Sequence, residues 1–284
     1  MYLYNVQREN DMTKTIAAIH DLSCFGRCAL TVVIPVLSAM GYQVIPLPTA
    51  VLSTHTGEGY TNFTFLDLTD EMKKITAHWA DMNLSFDAIY SGFIGNGVQA
   101  DIIIDFIRQF KTKDTLVLVD PVLGDDGVPY ATITEEIRNK MKELTRQADI
   151  ITPNITEASF LLDMPVTDPS EMVYRLAETT RKVVLTGVHI DDCIGTVSYE
   201  RETDKEPAFF LQKRIDKSYP GTGDIFASVL LGKLMSGLTL NEAAGFASDF
   251  ISEVIKDTAQ YDFPERYGVL IEKNLYKLIK DIKL

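Results

Sequence analysis

The sequence predicts an α/β protein of three layers, a mostly parallel central sheet with helices on both faces. Three observations predict it. Short apolar runs rich in β-branched residues (TIAAI, DAIY, TLVLVD, ADIIT and KVVLT) recur along the chain. Stretches of 10–15 residues with helical spacing and short connections separate several of these runs, which is the signature of βαβ units. The runs are apolar throughout rather than alternating, as strands buried on both faces must be. With 284 residues, 46% of them apolar, the chain can bury a full core.

The elements follow in order. TIAAI at 15–19 reads as the first buried strand. CALTVVIPVLSAM at 28–40 carries apolar residues at helical spacing, and Gly41 stops it as a C′ residue. QVIPLPT is extended, because each proline holds its predecessor out of the α region. Residues 49–62, rich in Thr, Ser and Gly, read as a flexible flap or edge hairpin. DAIY and TLVLVD are strands with a helix over about 97–110 between them. ADIIT and KVVLT are two more, separated by helices beginning near Ile155 and Pro169. CIGTVSYE and PAFFLQKR, joined by the charged RETDKE, form an antiparallel hairpin. The last third is helical over 222–236, 239–256 and roughly 263–280. No repeat, low-complexity tract or linker interrupts the pattern, so residues 15–284 are expected to form a single domain. Residues 1–14 are a frayed N-terminal extension, with Met12 a candidate functional start.

Charge and composition exclude several classes. A net charge of −13 disfavours nucleic acid and anionic membrane surfaces as partners. It leaves room for an anionic small molecule, which a local cluster of N–H groups can bind on an acidic protein. The first dozen residues lack the basic start and apolar run of a signal peptide. No apolar stretch approaches the ~20 residues of a membrane span, so a cytoplasmic protein is expected. Three cysteines make no full disulfide framework. Cys24 and Cys28 lack metal-ligand spacing and are expected to pack near a helix start.

Four places carry chemistry. Pro220-Gly221-Thr222-Gly223-Asp224 opens a wholly apolar helix. Its glycines allow close backbone approach and its first-turn N–H groups suit an anion. The plainer reading of Asp224 is an acid that complements the helix dipole. Asp120-Pro121-Val122-Leu123-Gly124-Asp125 follows a strand, where parallel sheets place their ligand crevice. Its two carboxylates could hold Mg²⁺; a simple Asp-Pro-Gly turn is the alternative. Thr152-Pro153-Asn154-Ile155-Thr156-Glu157 reads as a capping box, Asn154 with Glu157, and equally as a functional carboxylate in the same crevice. The fourth place is His20-Asp21-Leu22-Ser23 with the flap around Thr49, Ser53 and His55. A Ser/His/Asp triad is conceivable, but no G-x-S-x-G elbow exists and a small-molecule pocket fits better. One pattern competes. Gly95-Asn96-Gly97-Val98-Gln99-Ala100, with Asp120 downstream, matches a dinucleotide fingerprint and so an NAD-dependent oxidoreductase. No Walker A sequence is present.

Taken in order, LSTHTG, SGFIG, DPVLGD, TPNITE, VVLTG and PGTGDIFA resemble the pyridoxal/pyridoxamine kinase branch of the ribokinase-like superfamily, over residues 15–256. The resemblance implies ATP-dependent phosphorylation of the 5′-hydroxymethyl group of a B6 vitamer (pyridoxal, pyridoxamine or pyridoxine). It implies Asp224 as general base, and Gly221, Thr222 and Gly223 as the anion hole. Asp120 and Glu157 match acids near Mg²⁺, while Asn154, Thr152 and Thr186 match positions along the ATP phosphates. A monovalent cation such as K⁺ is often used as well. Asp21, Thr49 and His55 match positions at the pyridine ring or its flap. Family members are usually homodimers.

Two departures concern substrate choice. Pyridoxal kinases commonly have serine at Asp21 and tyrosine at Phe93. A carboxylate favours a protonated ring nitrogen or an amine, which tilts the expectation toward pyridoxamine or pyridoxine. The rivals are a hydroxymethylpyrimidine kinase of the same fold, the oxidoreductase above, and a non-catalytic ligand sensor.

Overall fold

The computed structural model describes residues 13–57 and 60–279. Of the expected N-terminal extension over 1–14, residues 1–12, with the candidate start at Met12, lie outside the described residues, whereas Thr13 and Lys14 are described. Lys14 belongs to the fold: its carbonyl accepts the N–H of Gln43, and its Nζ donates to the Met235 carbonyl at 2.7 Å.

The chain runs β1 (Thr15–Ile19), β2 (Leu22–Ser23), α1 (Leu30–Ala39), β3 (Gln43–Pro46), β4 (Ala50–Leu52), β5 (Phe65–Asp67) and α2 (Thr69–Asp81). It continues through β6 (Ala88–Ser91), α3 (Gly97–Phe110), β7 (Leu116–Val119), a small hairpin of β8 (Gly124–Asp125) and β9 (Val128–Pro129), and α4 (Glu135–Thr145). β10 (Ile150–Ile151), α5 (Ile155–Leu162), α6 (Pro169–Leu176), β11 (Lys182–Ile190), β12 (Cys193–Glu200) and β13 (Ala208–Lys213) follow. The chain then closes with α7 (Thr222–Met235), α8 (Leu240–Thr258) and the short α9 (Tyr276–Ile279).

Eight strands form the central sheet in the order β13-β12-β11-β10-β7-β6-β1-β3. All neighbours from β3 to β11 pair in parallel, and β12 and β13 add an antiparallel edge. Alternate residues of each strand feed opposite faces. Ala17, Ile19, Ile89, Val117 and Val119 pack with α2 through α6, whereas Ile16, Ala18, Tyr90 and Leu118 pack with α1, α7 and α8. The three layers expected from the apolar runs are therefore present, as is the hairpin. The expected flap is built into a second sheet, β2-β4-β5, standing over the carboxyl end of β1.

The C-terminal expectation needs correction. Among the described residues, 263–279 do not form the one helix expected over roughly 263–280. Two 3-10 turns, Glu265–Tyr267 and Ile271–Lys273, precede α9. Pro264 and Gly268, with φ of 77°, bend the chain around Arg27. The Arg27 guanidinium donates to the Tyr267 carbonyl at 3.2 Å and to the Glu272 carboxylate at 2.8 Å.

Candidate active site

The carboxyl ends of the parallel strands meet the start of α7. Gly221 precedes α7 with φ of 79°, a left-handed conformation that suits glycine. A Cβ there would lie 1.9 Å from the Arg27 carbonyl oxygen, so packing alone demands this glycine. Gly223 differs: a Cβ on it would meet nothing within 4 Å. No side chain caps α7, and the Thr222 hydroxyl donates back to the Tyr219 carbonyl at 3.1 Å. The first-turn N–H groups thus face open space beside Gly223, an arrangement that can receive an anion.

Asp224 sits in this first turn. Its Oδ2 accepts the Ala29 N–H at 2.8 Å, and its Oδ1 lies 4.0 Å from His20 Nδ1. Burial, with the negative charge of Asp120 and Asp21 nearby, raises its pKa to about 8. Such a group exchanges a proton near neutral pH, as a general base must. The helix-dipole reading is compatible with this and does not account for the burial.

A second acidic locus lies between β7, β10 and α5. Asp120 follows β7, and its Oδ1 accepts the Thr152 hydroxyl at 2.9 Å. Glu157 closes the predicted capping box, accepting the Asn154 N–H at 2.8 Å on one oxygen and the Leu123 N–H at 3.0 Å on the other. Burial raises Asp120 to about 7 against the Thr152 hydrogen bond, and burial together with the charge of Asp120 pushes Glu157 well above its ordinary value. Among the described residues no lysine or arginine pairs with either. Two buried, mutually repelling carboxylates with spare lone pairs fit a hard cation held through water. Asp125 stands apart: it is exposed on the β8–β9 hairpin and accepts the Asp126 N–H at 2.9 Å. Among the described residues no three His, Cys, Asp or Glu side chains gather closely enough to hold a metal by themselves.

Among the residues expected to border ATP, Asn154 Nδ2 donates to the Gly124 carbonyl at 2.8 Å. Thr186 pairs with Asn154 across an isolated bridge, beside a bulge in β11 where Gly187 has φ of 65°. The Thr152 hydroxyl is engaged by Asp120, while that of Thr186 has only a long 3.4 Å bond to the Pro153 carbonyl. Thr186 therefore has the freer of the two hydroxyls.

The four residues expected on the substrate side divide. Asp21 is buried at the end of β1, accepts the Ser23 hydroxyl at 2.8 Å, and has its pKa raised to about 6 by burial. The Thr49 hydroxyl is engaged by the carbonyl of the buried Phe93 at 3.1 Å. His55 spends both ring nitrogens, Nδ1 on the Gly57 N–H and Nε2 on the Arg266 carbonyl at 2.9 Å. The geometry thus leaves Asp21 as the polar group with spare acceptor capacity, while Thr49 and His55 fasten the flap. Ser23 bonds Asp21 and His20 bonds neither, so no triad forms.

Similarity to known proteins is in keeping with this geometry. A model of the phosphomethylpyrimidine kinase family matches residues 13–268. The chain belongs to that family. A crystal structure from Bacteroides thetaiotaomicron carrying the same family description, in a form with pyridoxal, is 43% identical, with a TM-score of 0.91 over 96% of this chain and 98% of that one. The pyridoxal kinase of Lactobacillus plantarum is 31% identical, with a TM-score of 0.88 over 94% of this chain and 97% of that one. A pyridoxine/pyridoxal/pyridoxamine kinase of Bordetella avium is 30% identical over 63% of this chain. The matched stretch spans 62% of that kinase, and 59% of a Schizosaccharomyces pombe relative. The pyridoxal kinase resemblance and the ribokinase-like architecture read from the sequence both hold.

Within this phosphomethylpyrimidine kinase family fold, the dinucleotide-like pattern has a different job. Asn96 caps α3 by accepting the Gln99 N–H, and its Nδ2 donates to Asp67 at 2.7 Å. Gln99 takes the Gly95 N–H and donates to the Thr49 carbonyl. A Cβ at Gly97 would lie 2.6 Å from Glu136 Oε1. The start of α3 is thus satisfied by its own side chains and carries the flap. Cys28 packs beside α1 as expected, with burial raising its thiol pKa, whereas Cys24 is exposed. Ala29, which aims an N–H at Asp224, was not among the expected residues. Nothing in its identity signals the φ of 49° that it adopts.

Proposed function

We propose that the protein transfers the γ-phosphoryl of ATP to the 5′-hydroxymethyl group of a B6 vitamer. The observation that carries the reading is Asp224, a half-buried carboxylate of near-neutral pKa in the first turn of an uncapped helix that opens onto free space. In this reading Asp224 takes the hydroxyl proton as the substrate oxygen bonds to the γ-phosphorus and the bond to the ADP oxygen breaks. The amides of Gly221, Thr222 and Gly223 meet the charge on the moving phosphoryl. Asp120 and Glu157 would hold Mg²⁺ through water, an ion that neutralises phosphate charge when bound. Asp125, exposed on its hairpin, joins them only through water. Asn154, Thr152 and Thr186 border the nucleotide phosphates, and Asp21 and Phe93 line the substrate ring. Bound nucleotide and vitamer in the active site, a supporting K⁺, a homodimer, one kinase domain over 15–284 and a cytoplasmic setting complete the proposal. Among the described residues no helix is long and apolar enough to cross a membrane.

The family description favours one second reading, a hydroxymethylpyrimidine as the alcohol. Its hydroxymethyl group and ring amine pose the same chemistry to Asp224 and Asp21. ADP release with ATP and Mg²⁺, offering pyridoxal, pyridoxamine, pyridoxine and hydroxymethylpyrimidine in parallel, separates the two. Turnover of a B6 vitamer is expected. Turnover of the pyrimidine alone transfers the assignment, and turnover of none moves a ligand sensor to the front.

A further inference from the structure

His20 is wholly buried at the end of β1, and among the described residues neither ring nitrogen has a hydrogen-bond partner. The fold nevertheless makes room for it. Tyr90 meets the ring edge-on at 4.3 Å between centroids. A Cβ at Gly92 would lie 2.4 Å from His20 Nδ1, so the ring occupies space that only a glycine leaves. Burial keeps the imidazole neutral, with its pKa lowered to about 3, and a neutral ring has one N–H to donate.

Packing alone gives no reason for a histidine here. An apolar residue of similar volume would leave no orphaned nitrogens and would cost the fold nothing. The ring does have one polar group beside it, Asp224 Oδ1 at 4.0 Å. That distance is about 1 Å beyond a hydrogen bond. Hydrogen bonds in active sites are often long in the free protein and tighten when substrate is seated. The other oxygen, Oδ2, already holds the Ala29 N–H.

We propose that His20 is a positioning residue that closes its Nδ1–H onto Asp224 Oδ1 when substrate binds. The carboxylate is then fixed between two N–H donors, from Ala29 and His20, with a remaining lone pair aimed at the substrate hydroxyl. The proton taken from the alcohol stays on Asp224, and His20 keeps its own. Gly92, within the SGFIG segment, is the glycine that admits the ring. The inference rests on Asp224 being the base of the proposed kinase reaction.

Two variants and one spectrum test it. His20→Leu is expected to lower kcat at least ~10-fold at unchanged KM, with a melting temperature equal to or above that of the unaltered protein. His20→Asn places an amide N–H near the lost Nδ1 and should recover most of the loss, which a purely structural role does not predict. In the unaltered protein, proton NMR of the ring N–H groups of its four histidines needs no variant to fold. One of them, missing from His20→Asn, should move downfield on adding pyridoxal with a non-hydrolysable ATP analogue. An unchanged kcat in His20→Leu, an equal loss in both variants with lowered melting temperatures, or an unmoved ring N–H overturns the inference. Inactivity of the unaltered protein on all four alcohols fails the kinase reading itself and takes this inference with it.

Discussion

The backbone N–H of Ala29 donates to the Asp224 carboxylate at 2.8 Å, joining two residues 195 positions apart in the chain. Ala29 does so from φ of 49° and ψ of −138°, a conformation alanine rarely adopts. Strain of this kind costs on the order of 1–3 kcal/mol and persists only where the surroundings impose it. Here Gly221 packs onto the Arg27 carbonyl, and the Leu30 N–H donates to the Asp21 carbonyl at 3.2 Å. The starts of α1 and α7 therefore lock each other, and the lock aims the carboxylate.

The two glycines before Asp224 should respond in opposite ways. Gly221→Ala drives a Cβ into the Arg27 carbonyl at a positive φ, and should destabilise the fold by several kcal/mol. Gly223→Ala should leave the melting temperature within a few degrees, because its Cβ meets no protein atom. It should still lower kcat/KM ~10-fold or more, since the methyl occupies the space proposed for the phosphoryl. Thermal melts paired with ADP release read both. A Gly223→Ala enzyme of full activity would place the phosphoryl elsewhere.

Stability should fall as pH rises through neutrality. Burial holds Asp120 at about 7 and Asp224 at about 8, against ~3.9 in an unfolded chain. The stability this confers is complete below the unfolded value and is lost as pH climbs through the folded ones. Each group contributes at most about 1.4 kcal/mol per pH unit. His20 acts oppositely but only below its unfolded value of ~6.5. The melting temperature should therefore drop between pH 6.5 and 8, less steeply in Asp120→Asn, and Mg²⁺ should restore more of it at pH 8 than at pH 6.5. A melting temperature that climbs across this window counts against the buried acid pair.

Vitamer choice should follow Asp21. Its carboxylate, with a pKa of about 6, is mostly ionised at pH 7.5 and favours a cationic amine or ring nitrogen. The ratio of kcat/KM for pyridoxamine or pyridoxine over pyridoxal should exceed one, and Asp21→Ser should lower it several-fold. A clear preference for pyridoxal, unmoved in Asp21→Ser, removes Asp21 from specificity.

Much of this was legible in the residues. Strands such as TIAAI and DAIY announce themselves because burial on both faces forces continuous apolar runs. Pro220 to Asp224, Asp120 and the Asn154–Glu157 capping box announce local geometry through glycine and capping chemistry, and Asp120 and Asn154 follow the carboxyl ends of the central strands β7 and β10. Two helices escaped the reading: α2 buries Met72 alone, and α4 is mostly charged with only a thin buried stripe. The final segment misled because its apolar spacing is helical, while Pro264, Gly268 and the distant Arg27 impose turns. Thr49 and His55 tie the flap to the carbonyls of Phe93 and Arg266, partners that local pattern does not show. The approach of His20 and Ala29 to Asp224 depends on contacts across some 200 residues, which local pattern does not encode.

The most direct test is the rate of ADP formation by Asp224→Asn with ATP, Mg²⁺ and the best B6 vitamer, beside a circular dichroism spectrum. Asparagine keeps the acceptor for the Ala29 N–H but cannot take a proton. The expected result is a folded protein whose kcat falls ~10²-fold or more, with little change in KM. A folded Asp224→Asn protein within a few-fold of full kcat would contradict it.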